Sequence, residues 1–226
     1  MESTLTTEIV AIDGPAGAGK STVARKVAEV LGYAFLDTGA MYRAATWLAL
    51  TNGVDLDDAQ ALANTTRSMN LDLREVDGRQ QVLVGDEDIT HAIRTPEVTR
   101  QISKLDHNPE VRAHLVALQQ AFGARRPTVA EGRDIGTVVF PHAKCKIYLD
   151  ASLEERTRRR ALEFEKKGIA FDSKQLMEDI RQRDHRDMSR SVGPLKKADD
   201  AVVVETDGLT PDEVVDRIVR LAKERA

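Results

Sequence analysis

A glycine-rich segment near the start of the chain has the residue types and spacing of a phosphate-binding loop. Residues 14–21 have the sequence Gly-Pro-Ala-Gly-Ala-Gly-Lys-Ser and fit the pattern G-x-x-x-x-G-K-[ST] at every fixed position. Glycines let a backbone curl so that successive amide groups point at phosphate oxygens. Lys20 supplies a mobile positive charge for the β- and γ-oxygens of a nucleotide, and the Ser21 hydroxyl can ligate the Mg²⁺ that accompanies it. The pattern therefore predicts a nucleotide-binding site.

A phosphate loop by itself does not choose among kinases, GTPases and ATP-driven motors. The sequence contains neither D-x-x-G nor N-K-x-D, the patterns expected of a GTPase, and none of its predicted strands ends in paired acids, as a motor ATPase would require. It does contain two arginine-rich segments, residues 156–160 and 181–190, with four arginines in each. A solvent-exposed face with ion pairs would explain any single arginine. Phosphoryl transfer, however, needs cations around the transferring group, and so two such segments favour a small kinase.

The elements expected around these residues alternate between strand and helix. Short apolar runs predict buried strands of a parallel sheet at 8–12, 33–36, 128–130, 145–149 and 201–204. Helices are predicted over 21–31, 39–50, 95–106 and 109–122, and capping boxes at Ser152 and Thr210 open two more. Between residues 70 and 89, apolar and polar residues alternate on either side of Asp77-Gly78, which predicts a hairpin within an inserted lobe.

The bulk composition sets the class of protein expected. The chain has 226 residues, a formal net charge of -4 and one cysteine, Cys145. The negative balance argues against a nucleic-acid partner, and no apolar run approaches the ~20 residues of a membrane span. With no internal disulfide possible and no secretory signal in residues 1–7, we expect a cytoplasmic protein without a membrane partner.

Four motifs together resemble those of the bacterial cytidylate kinases, which are P-loop nucleoside monophosphate kinases. They are residues 12–22, residues 36–43, residues 132–141, and residues 183–187 followed by Arg190, Pro194 and Leu195. The resemblance covers nearly the whole chain. The first motif is common to phosphate-loop proteins, whereas the other three are specific in this order and spacing.

The resemblance implies a fold and an activity. The fold would be an α/β P-loop kinase core, a parallel sheet flanked by helices, over residues 1–62 and 124–226, with a short lid at about 156–172. An inserted monophosphate-binding lobe with a small antiparallel sheet would occupy residues 63–123. The implied activity is transfer of the γ-phosphoryl group of ATP to CMP or dCMP with Mg²⁺, by a monomer. Two rival interpretations remain open: a P-loop kinase with another small acceptor, and a nucleotide-binding regulator without transferase activity.

The resemblance also implies roles for individual residues. The expected ATP-binding residues are Gly14, Pro15, Ala16, Gly17, Ala18, Gly19, Lys20, Ser21 and Thr22, with Ser21 at the metal. The expected CMP-binding residues surround the base (Thr38, Arg112, Asp134, Arg190), contact the sugar (Ser103, Arg183, Asp187) or hold the acceptor phosphate (Arg43, Arg133, Arg190). Lys20, Arg133, Arg190 and the lid residue Arg158 are the expected catalytic residues.

Overall fold

The computed structural model describes residues 7–76 and 79–225. The chain forms two compact units: the first combines the chain up to Ala34 with the chain from Arg126 onward, and the second is Phe35–Arg125. In chain order, the helices and strands are β1 (Ile9–Asp13), α1 (Lys20–Leu31), β2 (Ala34–Asp37), α2 (Thr38–Thr51), α3 (Ala59–Ser68), β3 (Leu71–Val76), β4 (Arg79–Val84), β5 (Glu87–Asp88), a 3₁₀ turn (Ala92–Arg94), α4 (Pro96–Asp106), α5 (Pro109–Gly123), β6 (Thr128–Gly132), a π-helix (Ile135–Val139), β7 (Cys145–Asp150), α6 (Leu153–Lys166), α7 (Ser173–Ser189), β8 (Val202–Glu205) and α8 (Pro211–Arg225).

The first unit is built on a parallel sheet with the strand order β2-β6-β1-β7-β8. Of β2, only the first residue, Ala34, is counted in this unit. β1 lies between β6 and β7, with Val10 paired to Val129 on one side and to Cys145 on the other. Every residue of β6 is buried, as expected for a strand covered on both faces. The prediction of a parallel sheet flanked by helices is thus confirmed, as is the buried position of Cys145 in a strand.

Helix α1 connects the phosphate loop to this core. Val23 and Val27 are buried, and the helix packs against β6 and α8. Gly32 ends the helix in the left-handed conformation predicted for a glycine cap. Val30, on the last turn, has the same helical spacing but is 59% exposed.

The second unit contains α2 to α5 and a three-stranded antiparallel sheet with the order β3-β4-β5. Leu73 pairs with Val82, so that the predicted hairpin is confirmed, although its expected turn at Asp77-Gly78 lies outside the described residues. The predicted inserted lobe, residues 63–123, lies within this unit. The unit also includes α2, because α2 packs against α3 and α4.

The elements without a counterpart in the sequence prediction include helix α7 and the π-helix. Helix α7 has only two buried apolar side chains, Leu176 and Ile180, and therefore gives little hydrophobic periodicity. The π-helix at Ile135–Val139 has an apolar sequence without a helical repeat. Among the described residues, no helix combines the length and the apolarity needed to cross a membrane.

Candidate active site

The phosphate loop follows the carboxyl end of β1 and needs glycine at particular positions. Gly14 has a φ of +149°, and a Cβ atom there would overlap the carbonyl oxygen of Leu149 in β7. Gly17 and Gly19 have φ values of +81° and +94°, which side-chain-bearing residues rarely adopt. The strand–loop–helix context predicted for the motif is present, and the N-terminus of α1 opens directly from the loop.

Lys20, the first residue of α1, is folded back onto the loop. Its Nζ donates a hydrogen bond to the carbonyl oxygen of Pro15 at 2.7 Å, and the residue is only 5% exposed. Burial and the positive charge of Arg133 together lower the pKa of Lys20 to about 7, although the carboxylate of Glu131 acts in the opposite direction. A positive group held in this way beside the loop is available to phosphate oxygens.

Ser21, the expected metal ligand, pairs with Glu131. The Ser21 hydroxyl donates a hydrogen bond to Oε1 of Glu131, which is 5% exposed in β6. Mg²⁺ prefers such hard oxygen ligands and commonly binds through one or two of them together with nucleotide phosphates. The described residues contain no cluster of three or more His, Cys, Asp or Glu side chains that could hold a metal ion.

Two arginines of α6 contact the phosphate loop. Arg156 donates from Nη1 to the carbonyl oxygen of Ala16 at 3.2 Å, and Arg159 donates from Nη1 to that of Ala18 at 3.3 Å. Arg158 lies on another face of the helix, where its side chain is 61% exposed and pairs with Glu155. In this structure, therefore, the basic segment reaches the loop through Arg156 and Arg159, while Arg158 points away from it.

Two ion pairs join the segment after β6 to the C-terminal end of α7. Arg133 donates from Nε to Oδ2 of Asp187 at 2.7 Å, and Arg190 approaches Oδ1 of Asp134 to within 3.8 Å. Burial works against ionisation of Asp187, but the charge and hydrogen bond of Arg133, together with the charges of Arg183 and Arg190, outweigh it and hold the pKa of this carboxyl below its usual range. Together with Arg183, whose charge also acts on Lys20, five of the expected CMP-binding residues thus lie in one cluster of charges.

In the second unit, three expected CMP-binding residues lie around the first turns of α2. Thr38 is the first residue of this helix and is 4% exposed, and Arg43 donates from Nη2 to Oδ2 of Asp37 at 2.7 Å. The guanidinium group of Arg112, on α5, lies 5.6 Å from the ring centre of Tyr42.

The side chain of Asp37 contacts both backbone and arginine side chains at this end of α2. Its side chain accepts a hydrogen bond from the amide of Ala40 and so caps the helix, and its carboxylate faces Arg94 at 3.7 Å as well as Arg43. Burial raises the pKa of Asp37, yet the two guanidinium charges prevail and lower it overall. Ser103 is half-buried on α4, which packs against α2 and α5.

Several residues of the site were not assigned a role from the sequence. The sequence prediction assigns no role to Glu131, and it does not distinguish Arg156 from the neighbouring arginines. One signal was available: Arg156 and Arg159 are three residues apart and therefore share a helix face that Arg158 does not. Nothing in the sequence indicated that Asp184 would pair with Arg156 across the two helices.

Comparison with known proteins gives consistent matches. The family model described as cytidylate kinase matches residues 10–224. The chain is 48% identical to the cytidylate kinase of Anoxybacillus flavithermus over 216 residues, which cover 96% of each protein. It is 51% identical over 222 residues to the bifunctional pantoate ligase/cytidylate kinase of Synechococcus elongatus, and this match covers 96% of the chain but only 42% of that longer protein. A gluconokinase structure from Sinorhizobium meliloti aligns over 97% of the chain and 93% of its own with a TM-score of 0.50 at 15% identity, a likeness of fold alone.

Proposed function

This chain belongs to the cytidylate kinase family, and from that premise we propose that it transfers the γ-phosphoryl group of ATP to CMP or dCMP, giving ADP and CDP or dCDP. The observation that carries the proposal is the position of Lys20. It lies on the phosphate loop and, at the same time, within the electrostatic reach of Arg133, Arg183 and Asp187. A donor site and an acceptor site that share their charges in this way suit the direct passage of a phosphoryl group between two anions.

The proposed reaction is an in-line displacement. A phosphate oxygen of CMP attacks the γ-phosphorus, the bond to the bridging oxygen breaks, and ADP leaves with the electron pair. No nucleophilic side chain is needed, because the acceptor supplies the attacking oxygen. Lys20 and the arginines would hold the two nucleotides at attack distance and stabilise the charge on the transferring group.

We propose that Mg²⁺ is bound together with ATP beside Ser21 and Glu131. The hydroxyl and the buried carboxylate form a pair of hard oxygen donors suited to this ion. When bound, Mg²⁺ neutralises charge on the β- and γ-phosphate oxygens. Glu131 would orient the Ser21 hydroxyl and balance the charge of Lys20 before the nucleotide binds.

The acceptor would be recognised by its base, its sugar and its phosphate. Cytosine offers an amine that donates and ring atoms that accept, so it requires an acid together with donors. In our proposal, Asp134 accepts from the amine and Arg112 donates to the acceptor atoms, with Thr38 and Arg190 nearby. Arg43, Arg133 and Arg190 would hold the phosphate, whereas Ser103, Arg183 and Asp187 would contact the sugar. We also propose that the enzyme acts as a cytoplasmic monomer and takes no nucleic acid as a partner.

A panel of acceptors tests this proposal. ADP release from Mg·ATP is followed in a coupled assay with CMP, dCMP, UMP and AMP in turn. We expect the highest kcat/KM with CMP or dCMP. A clear preference for AMP would favour a kinase with another acceptor, and nucleotide binding without any acceptor-dependent ADP release would favour a regulator.

Replacing Lys20 separates catalysis from folding. Lys20→Ala removes the charge nearest the phosphates, and we expect kcat to fall by about two to four orders of magnitude, as for loss of a preorganised electrostatic group. The variant should keep its far-UV circular dichroism spectrum. Turnover close to that of the wild type would contradict the role given to the loop.

Replacing Asp134 tests base recognition. Asp134→Ala should raise KM for CMP by about one to two orders of magnitude, because the variant loses a hydrogen bond with a charged acceptor. KM for ATP should change much less. Equal losses for both nucleotides would show that Asp134 does not read the base.

A further inference from the structure

The carboxylate of Asp13 connects the end of β1 to the segment that follows β6. Its Oδ1 accepts a hydrogen bond from the amide of Ile135 at 2.7 Å, and its Oδ2 accepts one from the amide of Gly136 at 2.8 Å. Asp13 is 4% exposed. Because both of its oxygens are used and almost no surface remains, this carboxylate has no room to contact a substrate.

Asp13 occupies a special place in the chain. It directly precedes Gly14, the first residue of the phosphate loop, and the amides that it binds directly follow Arg133 and Asp134. The two segments are more than 120 residues apart, and Asp13 faces Gly132 in the register of the sheet. The side chain of Asp13 therefore connects the start of the phosphate loop to the segment that carries Arg133 and Asp134, two residues of the expected acceptor site.

The π-helix explains why these amides need an outside partner. Amides at the start of a helix lack a carbonyl oxygen within it. Here the amides of Val138 and Val139 both donate to the carbonyl oxygen of Asp134, so the amides of Ile135 and Gly136 come before the first hydrogen bonds of the helix. The carboxylate of Asp13 accepts from two of the amides before them, those of Ile135 and Gly136, and thereby fixes the direction in which the chain leaves Asp134.

We propose that Asp13 is a positioning residue, which aligns Arg133 and Asp134 with the phosphate loop so that acceptor and donor meet in the geometry for transfer. The inference rests on the proposed function, since it assigns Arg133 and Asp134 to the acceptor. It predicts that loss of the carboxylate harms use of CMP, although Asp13 touches neither nucleotide.

The protonation of Asp13 provides a readout that a purely structural role would not give. Burial raises the pKa of Asp13 to about 6, and the nearby charge of Asp134 also raises it, against the amide hydrogen bonds and the charge of Lys20. The other polar groups that face it come from β7: Tyr148, its register partner, and Lys146, whose side chain lies beside Gly136. A protonated carboxyl must place a hydrogen on one oxygen, and so one of the two amides loses its acceptor. Alignment, and with it kcat/KM for CMP, should therefore decrease as the pH falls through about 6.

The experiment compares Asp13→Asn with a matched control. Glu205→Gln makes the same change of charge at the exposed end of β8 and should keep the activity and pH profile of the wild type. We expect Asp13→Asn to lower kcat/KM for CMP at least tenfold at pH 8, the loss expected for a buried charge-assisted hydrogen bond, and to lack the decrease near pH 6. An Asp13→Asn enzyme with full activity, or with the same acid limb as the wild type, would overturn the inference.

A second measurement uses the wild type and so does not depend on how the variant folds. The NMR shifts of the Ile135 and Gly136 amides should titrate together between pH 5 and 7, with the same apparent pKa as the acid limb of kcat/KM. Amide shifts that stay constant while the rate falls would overturn the inference alone. If the wild type released no ADP with CMP at any pH, the proposed function would fail, and this inference with it.

Discussion

Lys20 is buried, and it lies near the positive charges of Arg133 and Arg183, which the carboxylates of Glu131 and Asp187 offset only in part. Both effects favour its neutral form, and its pKa of about 7 means that a large part of the free protein carries an uncharged Lys20 near neutral pH. The phosphates of ATP would reverse this balance, because a negative charge nearby favours the ammonium form. The charge needed for catalysis would then be completed by the substrate.

The first prediction concerns Lys20: when Mg·ATP binds, the amino group of Lys20 takes up a proton. At pH 8, with a pKa of about 7, close to one proton should be taken up per ATP bound. Isothermal titration calorimetry in phosphate and in Tris, which differ in ionisation enthalpy, measures this number directly. Lys20→Met should bind ATP more weakly and without the difference between the buffers. Identical binding enthalpies for the wild type in both buffers would contradict the shifted pKa.

Individual residues of the site were predictable to different degrees. Lys20 and Ser21 were found from the sequence because their roles follow from a local pattern in which spacing alone sets the geometry. Glu131 and Arg156 could not be found in this way, since their partners lie 110 and 140 residues away in sequence. Only the pairing of strands and the packing of α6 bring them to the loop.

Among the elements, β4 contributes to the expected acceptor site through a single side chain. Gln80 accepts a hydrogen bond from the amide of Asp37 and donates one to the carbonyl oxygen of Phe35, both at 3.3 Å. The side chain thus pairs with the backbone of β2 just where α2 begins. Asp37 caps α2 and accepts a hydrogen bond from Arg43. The contact with Gln80 of β4 therefore helps to position two expected CMP-binding residues, Thr38 and Arg43.

The second prediction concerns this contact. Gln80→Ala leaves two backbone groups without their partner, and we expect KM for CMP to rise about threefold to tenfold, in line with about 1 kcal/mol for a hydrogen bond. Values of kcat and of KM for ATP should change little, which steady-state kinetics can determine.

Gln81→Ala is the matched control, because neighbouring residues of a strand point to opposite faces. It should leave all three constants unchanged. If both variants had the same effect, the cause would be a general weakening of the hairpin and the assigned contact would be wrong.

The elements themselves differed in how far the sequence revealed them. The hairpin of β3 and β4 was predictable because its apolar residues alternate, and α1 because of its valines and its glycine cap. Helix α7 was not, since many of its side chains are charged and its buried contacts include ion pairs such as that of Asp187 with Arg133. The π-helix depends on Asp13, so no local pattern could have indicated it.

At the scale of the whole molecule, the sequence predicted the class of fold but not its order. Short apolar runs indicate buried strands wherever they occur, and this is enough to predict a parallel sheet with helices. That β1 lies between β6 and β7 depends on contacts between distant segments, which no composition or periodicity encodes. The extent of the second unit was equally out of reach, because it depends on the packing of α2.

The third prediction concerns the stability of the whole molecule. The pKa of Asp13 is raised in the folded protein from 3.8 to about 6, so the folded state binds a proton more strongly than the unfolded state. This group therefore contributes stability that is fully present below about pH 4 and is lost as the pH rises through about 6. The size of the shift corresponds to about 3 kcal/mol.

Urea denaturation at several pH values can isolate this contribution, since Asp13→Asn has no proton to exchange at this position. We expect the free energy of unfolding of the wild type, relative to that of the variant, to fall by about 2.5 kcal/mol between pH 4 and pH 7. A difference that stays constant with pH would contradict the raised pKa. The predicted outcome means that the ionised Asp13, the form that holds both amides, is also the form that folding disfavours. Such a group persists where alignment of a site is worth more than stability.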